Sequence, residues 1–207
     1  MKSQLTARAA LIVIAALFVF PLALAWMMWS GVIDFNPGSG RNLGELVQPP
    51  IPAELENHLD LERPVTSVDS NETSVLFEGH WVILHVVPAP CSSGCLDIIT
   101  TLRQVHRASG RNQSRIQVAL LLSDEHPTQT ADQISRIYPS FILVKSPGTE
   151  LHRVLAEIAA GFSARVGDSS YLIDPIGNIM MFYEAGSDPN HLKTDLKRLL
   201  TWSKLDK

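Results

Sequence analysis

The chain has 207 residues, with 17 Lys and Arg against 21 Asp and Glu, and a formal net charge of −4. The first 30 residues hold two of the basic residues, Lys2 and Arg8, and none of the acidic ones, so residues 31–207 carry 15 basic against 21 acidic side chains, a net −6. So acidic a remainder has no electrostatic footprint for nucleic acid, and that class of partner is excluded.

The chain opens with a charge-free apolar stretch over residues 9–29 that ends in Trp26-Met27-Met28-Trp29. Its length matches the ~20 residues needed to cross a bilayer, and tryptophans suit the interface. The stretch predicts one membrane-spanning helix at 9–30 behind a cytoplasmic tail at 1–8. Basic residues flank it only on the N-terminal side, which places the remainder outside the cytoplasm. In a bacterium that is a single-pass inner-membrane protein with a periplasmic domain. A cleaved signal peptide is the rival, since Ala23-Leu24-Ala25 fits a small-x-small cleavage pattern. The apolar run exceeds a signal-peptide core and continues past that cut, which favours the anchor. Pro21 is tolerable in a membrane helix, where the backbone groups it frees are satisfied locally.

Residues 31–64 mix Gly, Pro and polar residues and read as a linker and extended arm, with a short helical option at 53–59. Residues 65–207 are the size of one domain. Residues 65–77 suit one or two short strands, and 81–87 a central strand. Cys95, Ile98, Ile99, Leu102 and Val105 then follow helical spacing up to Gly110. The apolar run 116–122 predicts a strand buried on both faces. A short helix at 128–138, a short strand at 141–144 and a helix at 151–161 follow. Residues 171–173 and 179–183 form a hairpin around Asp174-Pro175-Ile176-Gly177-Asn178, and a last helix runs over 190–202. The order β-α-β-α-α-β-β-α is that of a thioredoxin-like α/β domain.

The only two cysteines lie in Pro90-Cys91-Ser92-Ser93-Gly94-Cys95, just after the central strand. At a helix N-terminus the dipole and free N–H groups favour a thiolate, which is both the nucleophile of disulfide exchange and a soft ligand suited to Cu(I). The pair could therefore shuttle electrons, hold copper, or do both. A purely structural disulfide gains little from so short a loop. Cys91, at the helix start, is the attacking thiol by position and Cys95 the resolving one. Ser92 and Ser93 are placed to donate toward a Cys91 thiolate.

Together the anchor, the CxxxC motif and Tyr171-Leu172-Ile173-Asp174-Pro175-Ile176-Gly177 resemble the SCO/SenC family of membrane-anchored thioredoxin-like proteins. That resemblance implies assembly of the copper centre of a respiratory oxidase. It implies Cys91 and Cys95 as copper ligands, and the oxidase copper subunit or other assembly factors as partners. Two features depart from the family pattern. Leu96 follows the second cysteine where that family has proline. The family's third copper ligand is a histidine shortly before the late strand, and the corresponding stretch here is Val166-Gly167-Asp168-Ser169-Ser170. Asp168 would be a hard ligand poorly suited to Cu(I). This segment also lacks the proline that thioredoxins place there to grip a partner chain. A histidine from elsewhere in the chain is the alternative third ligand: His85 lies six residues before Cys91, where it also reads as the one polar residue of a buried strand. His80, His106, His126, His152 and His191 read as surface or satisfied interior residues. A second reading is a non-catalytic scaffold that keeps the fold and binds other assembly proteins.

Overall fold

The computed structural model describes residues 2–30, 32, 41–55, 60–61, 77–123, 125, 128–145 and 150–203. The chain forms two units, Met1–Arg41 and Asn42–Lys207. The first holds helix α1 (Lys2–Trp29), with Pro21 inside it. Over Arg8–Trp29 this helix is long and apolar enough to cross a membrane, and none of that segment is buried.

The second unit is built on β3 (Trp81–Val86), whose six residues are all buried. Side chains alternate across a strand, so the two faces of β3 feed two separate cores. Trp81 and Ile83 pack with Ile99, Leu102 and Val105 of α2 (Ser93–Ala108), and with Leu192, Leu196 and Leu200 of α5 (Pro189–Trp202). Ala131 and Ile134 of α3 (Thr128–Ile137) complete that layer. Val82, Leu84 and Val86 pack on the other side with Leu151, Leu155 and Ile158 of α4 (Glu150–Gly161). Each such aliphatic side chain contributes about 1.5–3 kcal/mol by leaving water. This is an α/β/α sandwich.

The sheet runs β1-β7-β6-β3-β4-β5-β2, with β1 at Glu45–Pro52, β2 at Asp60–Leu61, β4 at Ile116–Leu122, β5 at Ile142–Lys145, β6 at Ser170–Ile173 and β7 at Asn178–Tyr183. β3, β4 and β5 are parallel, while β6 lies antiparallel to β3 and to β7. At the β6–β7 turn Asp174 Oδ1 accepts the N–H groups of Ile176 (3.1 Å) and Asn178 (2.8 Å), and Gly177 takes the left-handed φ of +90°. These elements match the expected order, and the fold is the thioredoxin-like one that order implies.

The segment expected as an arm contributes β1, which pairs with β7, and the compact unit begins at Asn42. Pro49, Pro50 and Pro52 argue against a strand interior, but an edge strand needs no N–H on its open side. The options of a short helix at 53–59 and strands at 65–77 fall largely outside the described residues, as does His126.

Candidate functional site

β3 ends at Val86, and the backbone N–H of Val87 still reaches Leu121 O at 3.0 Å. Pro88-Ala89-Pro90 then turns the chain over the sheet end, and α2 starts at Ser93 with Ser92 as its N-cap residue. Leu96 N–H closes the first turn on Ser92 O at 3.2 Å. Cys91 therefore stands two residues ahead of the helix, and only Cys95 lies within it. The two are joined as a disulfide with Cα atoms 5.4 Å apart. Cys91 is half-buried, whereas Cys95 is 1% exposed within the core under α2. The hydroxyl of Ser92 makes no capping bond, which leaves the first-turn N–H groups free of side-chain caps.

Behind this loop lies a polar cluster. His85, 0% exposed, has Nδ1 at 3.0 Å from Ser170 Oγ, its partner across the β3–β6 ladder. Its Nε2 lies 3.6 Å from Asp168 Oδ1, and neither of those two atoms has a hydrogen-bond partner. Burial pushes the His85 imidazole down to about 4, opposed by the nearby Ser169 backbone. His85 is thus neutral at pH 7, and the contact is not a salt bridge. Burial also raises the Asp168 carboxyl, against the pull of the Arg165 charge.

Asp168 has a left-handed φ of +69°, unusual for a non-glycine residue, and its N–H bonds Val86 O at 2.9 Å. A Cβ on Gly167 would lie 3.9 Å from Pro88 Cβ. The Asp168 loop is thereby held against the end of β3 and the start of the cysteine loop. The imidazole at this loop comes from β3 rather than from the loop itself. From the sequence His85 reads as the one polar residue of a buried strand, with a contribution to the cysteine site as the alternative. The signal that reading lacked was the strand register that sets His85 beside Ser170.

Among the described residues, the other histidines are placed elsewhere. His80 Nδ1 meets Glu78 O at 2.9 Å, and His106 Nε2 meets Ile116 O at 3.2 Å. His152 and His191 lie on α4 and α5. Among the described residues, no group of three or more His, Cys, Asp and Glu is arranged to hold a metal ion. The reduced cysteine pair would offer two soft sulfur donors, a set that suits Cu(I) and little else.

A thioredoxin-like domain with a CxxxC disulfide at the end of its central strand and the start of the following helix is the class that fold and site define. Residues 81–203 match the family described as the transmembrane-like, thioredoxin-like, C-terminal domain. The chain belongs to that family. No curated protein matches it. Among solved structures, apo Sco1 from Thermus thermophilus is similar at 18% identity and a TM-score of 0.52, covering 78% of this chain and 99% of that one. Copper-bound ScoI from Arabidopsis thaliana is 16% identical, with a TM-score of 0.46 over 62% of this chain and 88% of that one. A thioredoxin-family thiol:disulfide interchange protein from Chlorobium tepidum is 16% identical, with a TM-score of 0.47 over 61% and 84%. The fold implied by the SCO/SenC resemblance is the fold observed.

Proposed function

We propose that this chain is a membrane-anchored thiol–disulfide protein that serves the assembly of a respiratory oxidase through the Cys91/Cys95 pair. The observation that carries the reading is the disulfide itself, with one half-buried and one buried sulfur at the start of α2. In the reduced state Cys91 attacks a partner disulfide, and Cys95 resolves the mixed disulfide by attacking the Cys91 sulfur. The uncapped first turn of α2 favours the Cys91 thiolate over the thiol.

The same two thiolates form a two-coordinate site for Cu(I) as cargo passing to an oxidase copper subunit. Asp168, a hard carboxylate, adds little affinity for that ion. Weak Cu(I) binding and almost no Cu(II) binding follow. α1 serves as an uncleaved anchor, and its one-sided basic flank supports a domain on the periplasmic side of a bacterial inner membrane.

The test is alkylation trapping of the full-length chain in glutathione buffers of graded potential, with a Cu(I) competition titration on the reduced protein. Cys91 and Cys95 should pass together between dithiol and disulfide, and Cys91→Ser or Cys95→Ser should each abolish Cu(I) binding. A pair whose state is the same at every potential overturns the redox reading. Copper binding untouched by either substitution overturns the carrier reading.

A further inference from the structure

His85 is a fully buried titratable group that neither disulfide exchange nor copper carriage requires, and its surroundings are built for more than filling space. Both ring nitrogens face oxygen: Ser170 Oγ at 3.0 Å from Nδ1 and Asp168 Oδ1 at 3.6 Å from Nε2. A neutral ring carries one N–H, whereas an imidazolium carries two and needs an acceptor at each. The cluster supplies both. A serine hydroxyl serves either form by turning, and a carboxylate favours the charged one.

The cluster also lies close behind the cysteines. His85 shares a face of β3 with Ile83 and Val87, which pack in one core with Cys95, Ile99 and Leu102. Asp168 and Ser170 line a cavity of about 50 Å³ together with Ile98 and Leu102, one and two helical turns beyond Cys95. Among the described residues, few other charges are near. Leu120 stands opposite on β4, Arg165 acts on Asp168 from the loop, and Tyr183, Glu184 and Asp188 border the same cavity from the β7–α5 side.

We propose that His85 is a redox-linked proton site, which binds its proton more tightly when the Cys91–Cys95 disulfide is reduced than when it is formed. The inference rests on the thiol–disulfide reading above. A partner dithiol gives up two electrons and two protons and becomes a disulfide. The electrons open the Cys91–Cys95 bond. One proton ends on the Cys95 sulfur, leaving Cys91 as the thiolate, and the other goes to solvent at neutral pH or, below the raised midpoint, to the vacant ring nitrogen of His85. On reoxidation the Cys95 proton leaves with the electrons, and a proton held by His85 is released as its midpoint falls. The imidazolium is held by Asp168 and by the new sulfur charge, and it stabilises the thiolate in return. A unit charge at ~10 Å in a medium of effective dielectric constant ~20 moves a titration midpoint by about one pH unit.

The experiment is a pH titration of the full chain in micelles with ring-labelled histidine, followed by NMR with the disulfide intact and after dithiothreitol. The resonance lost in His85→Gln identifies the site. Should that variant fail to fold, replacing the other six histidines one at a time identifies it by elimination. The His85 midpoint is expected to rise by about one pH unit or more on reduction, and by less in Asp168→Asn. An unchanged midpoint in a chain whose cysteines demonstrably cycle overturns this proposal alone, and marks His85 as structural. A disulfide that dithiothreitol cannot open overturns this proposal and the exchange reading together.

Discussion

The carboxylate of Asp195 on α5 accepts the backbone N–H of Gly44 at 2.9 Å, although 151 residues separate them. Leu43 N–H reaches the same oxygen at 2.8 Å and Tyr183 OH at 3.3 Å, and Asp195 is 3% exposed. Gly44 itself lies on the Tyr183 ring, where any Cβ would collide. Asp195→Ala leaves two backbone donors without an acceptor and should cost about 3 kcal/mol in urea unfolding. Asp195→Asn keeps an acceptor oxygen and should cost less than half as much. Equal losses for the two variants would assign the effect to packing rather than to these bonds.

Acid should weaken the domain through His85. Its folded value of about 4 lies below the ordinary 6.5, so between those values the unfolded chain binds a proton that the folded one refuses. Stability is therefore full above about pH 6.5 and falls as the pH drops toward 4, by about 3 kcal/mol in all. Asp168, raised by burial, acts in the opposite direction just above its ordinary 3.8 and flattens the lower end of the fall. Unfolding curves collected across this range should show the slope in the wild type and lose most of it in His85→Gln. A slope that survives the substitution would place its origin elsewhere.

Thiol reactivity should follow burial. After reduction Cys91, half-buried, should react with iodoacetamide several-fold faster than Cys95 at 1% exposure. Mass spectrometry at early times should find the label on Cys91. Equal rates would remove the assignment of Cys91 as the attacking thiol.

The apolar helix Arg8–Trp29 should hold the chain in the membrane. Carbonate and high salt should fail to extract it, and a reporter fused after residue 207 should be active only outside the cytoplasm. A soluble mature protein that begins at Trp26 would show cleavage in place of anchoring.

Sequence periodicity located the sandwich well, because β3 and β4 are apolar but for His85 and Gln117, and α2, α4 and α5 repeat their buried residues every three to four positions. The cysteine site was legible for the same reason, since a strand followed by a helix fixes where the motif must sit. β1 was harder to read. Three prolines in eight residues signal a linker, and only the distant partner β7 turns them into an edge strand. The His85–Asp168–Ser170 cluster could not be read at all. It depends on β6 returning beside β3 in a register that sets residues 85 apart side by side, and no local pattern encodes that distance.

The pairing of β1 with β7 also sets a timetable. Leu46 meets Met181 across the sheet, so the first strand to be synthesised must wait for a partner 135 residues behind it. At ribosomal rates of about 5–20 residues per second, that interval is roughly 7–27 s. Throughout it the newborn strand is an open edge bearing Leu46, Val47 and Ile51, the kind of template that recruits neighbouring chains. Pro49, Pro50 and Pro52 offer no N–H to such a recruit. The residues that disguise this strand in the sequence are the ones that keep it solitary until its own partner arrives.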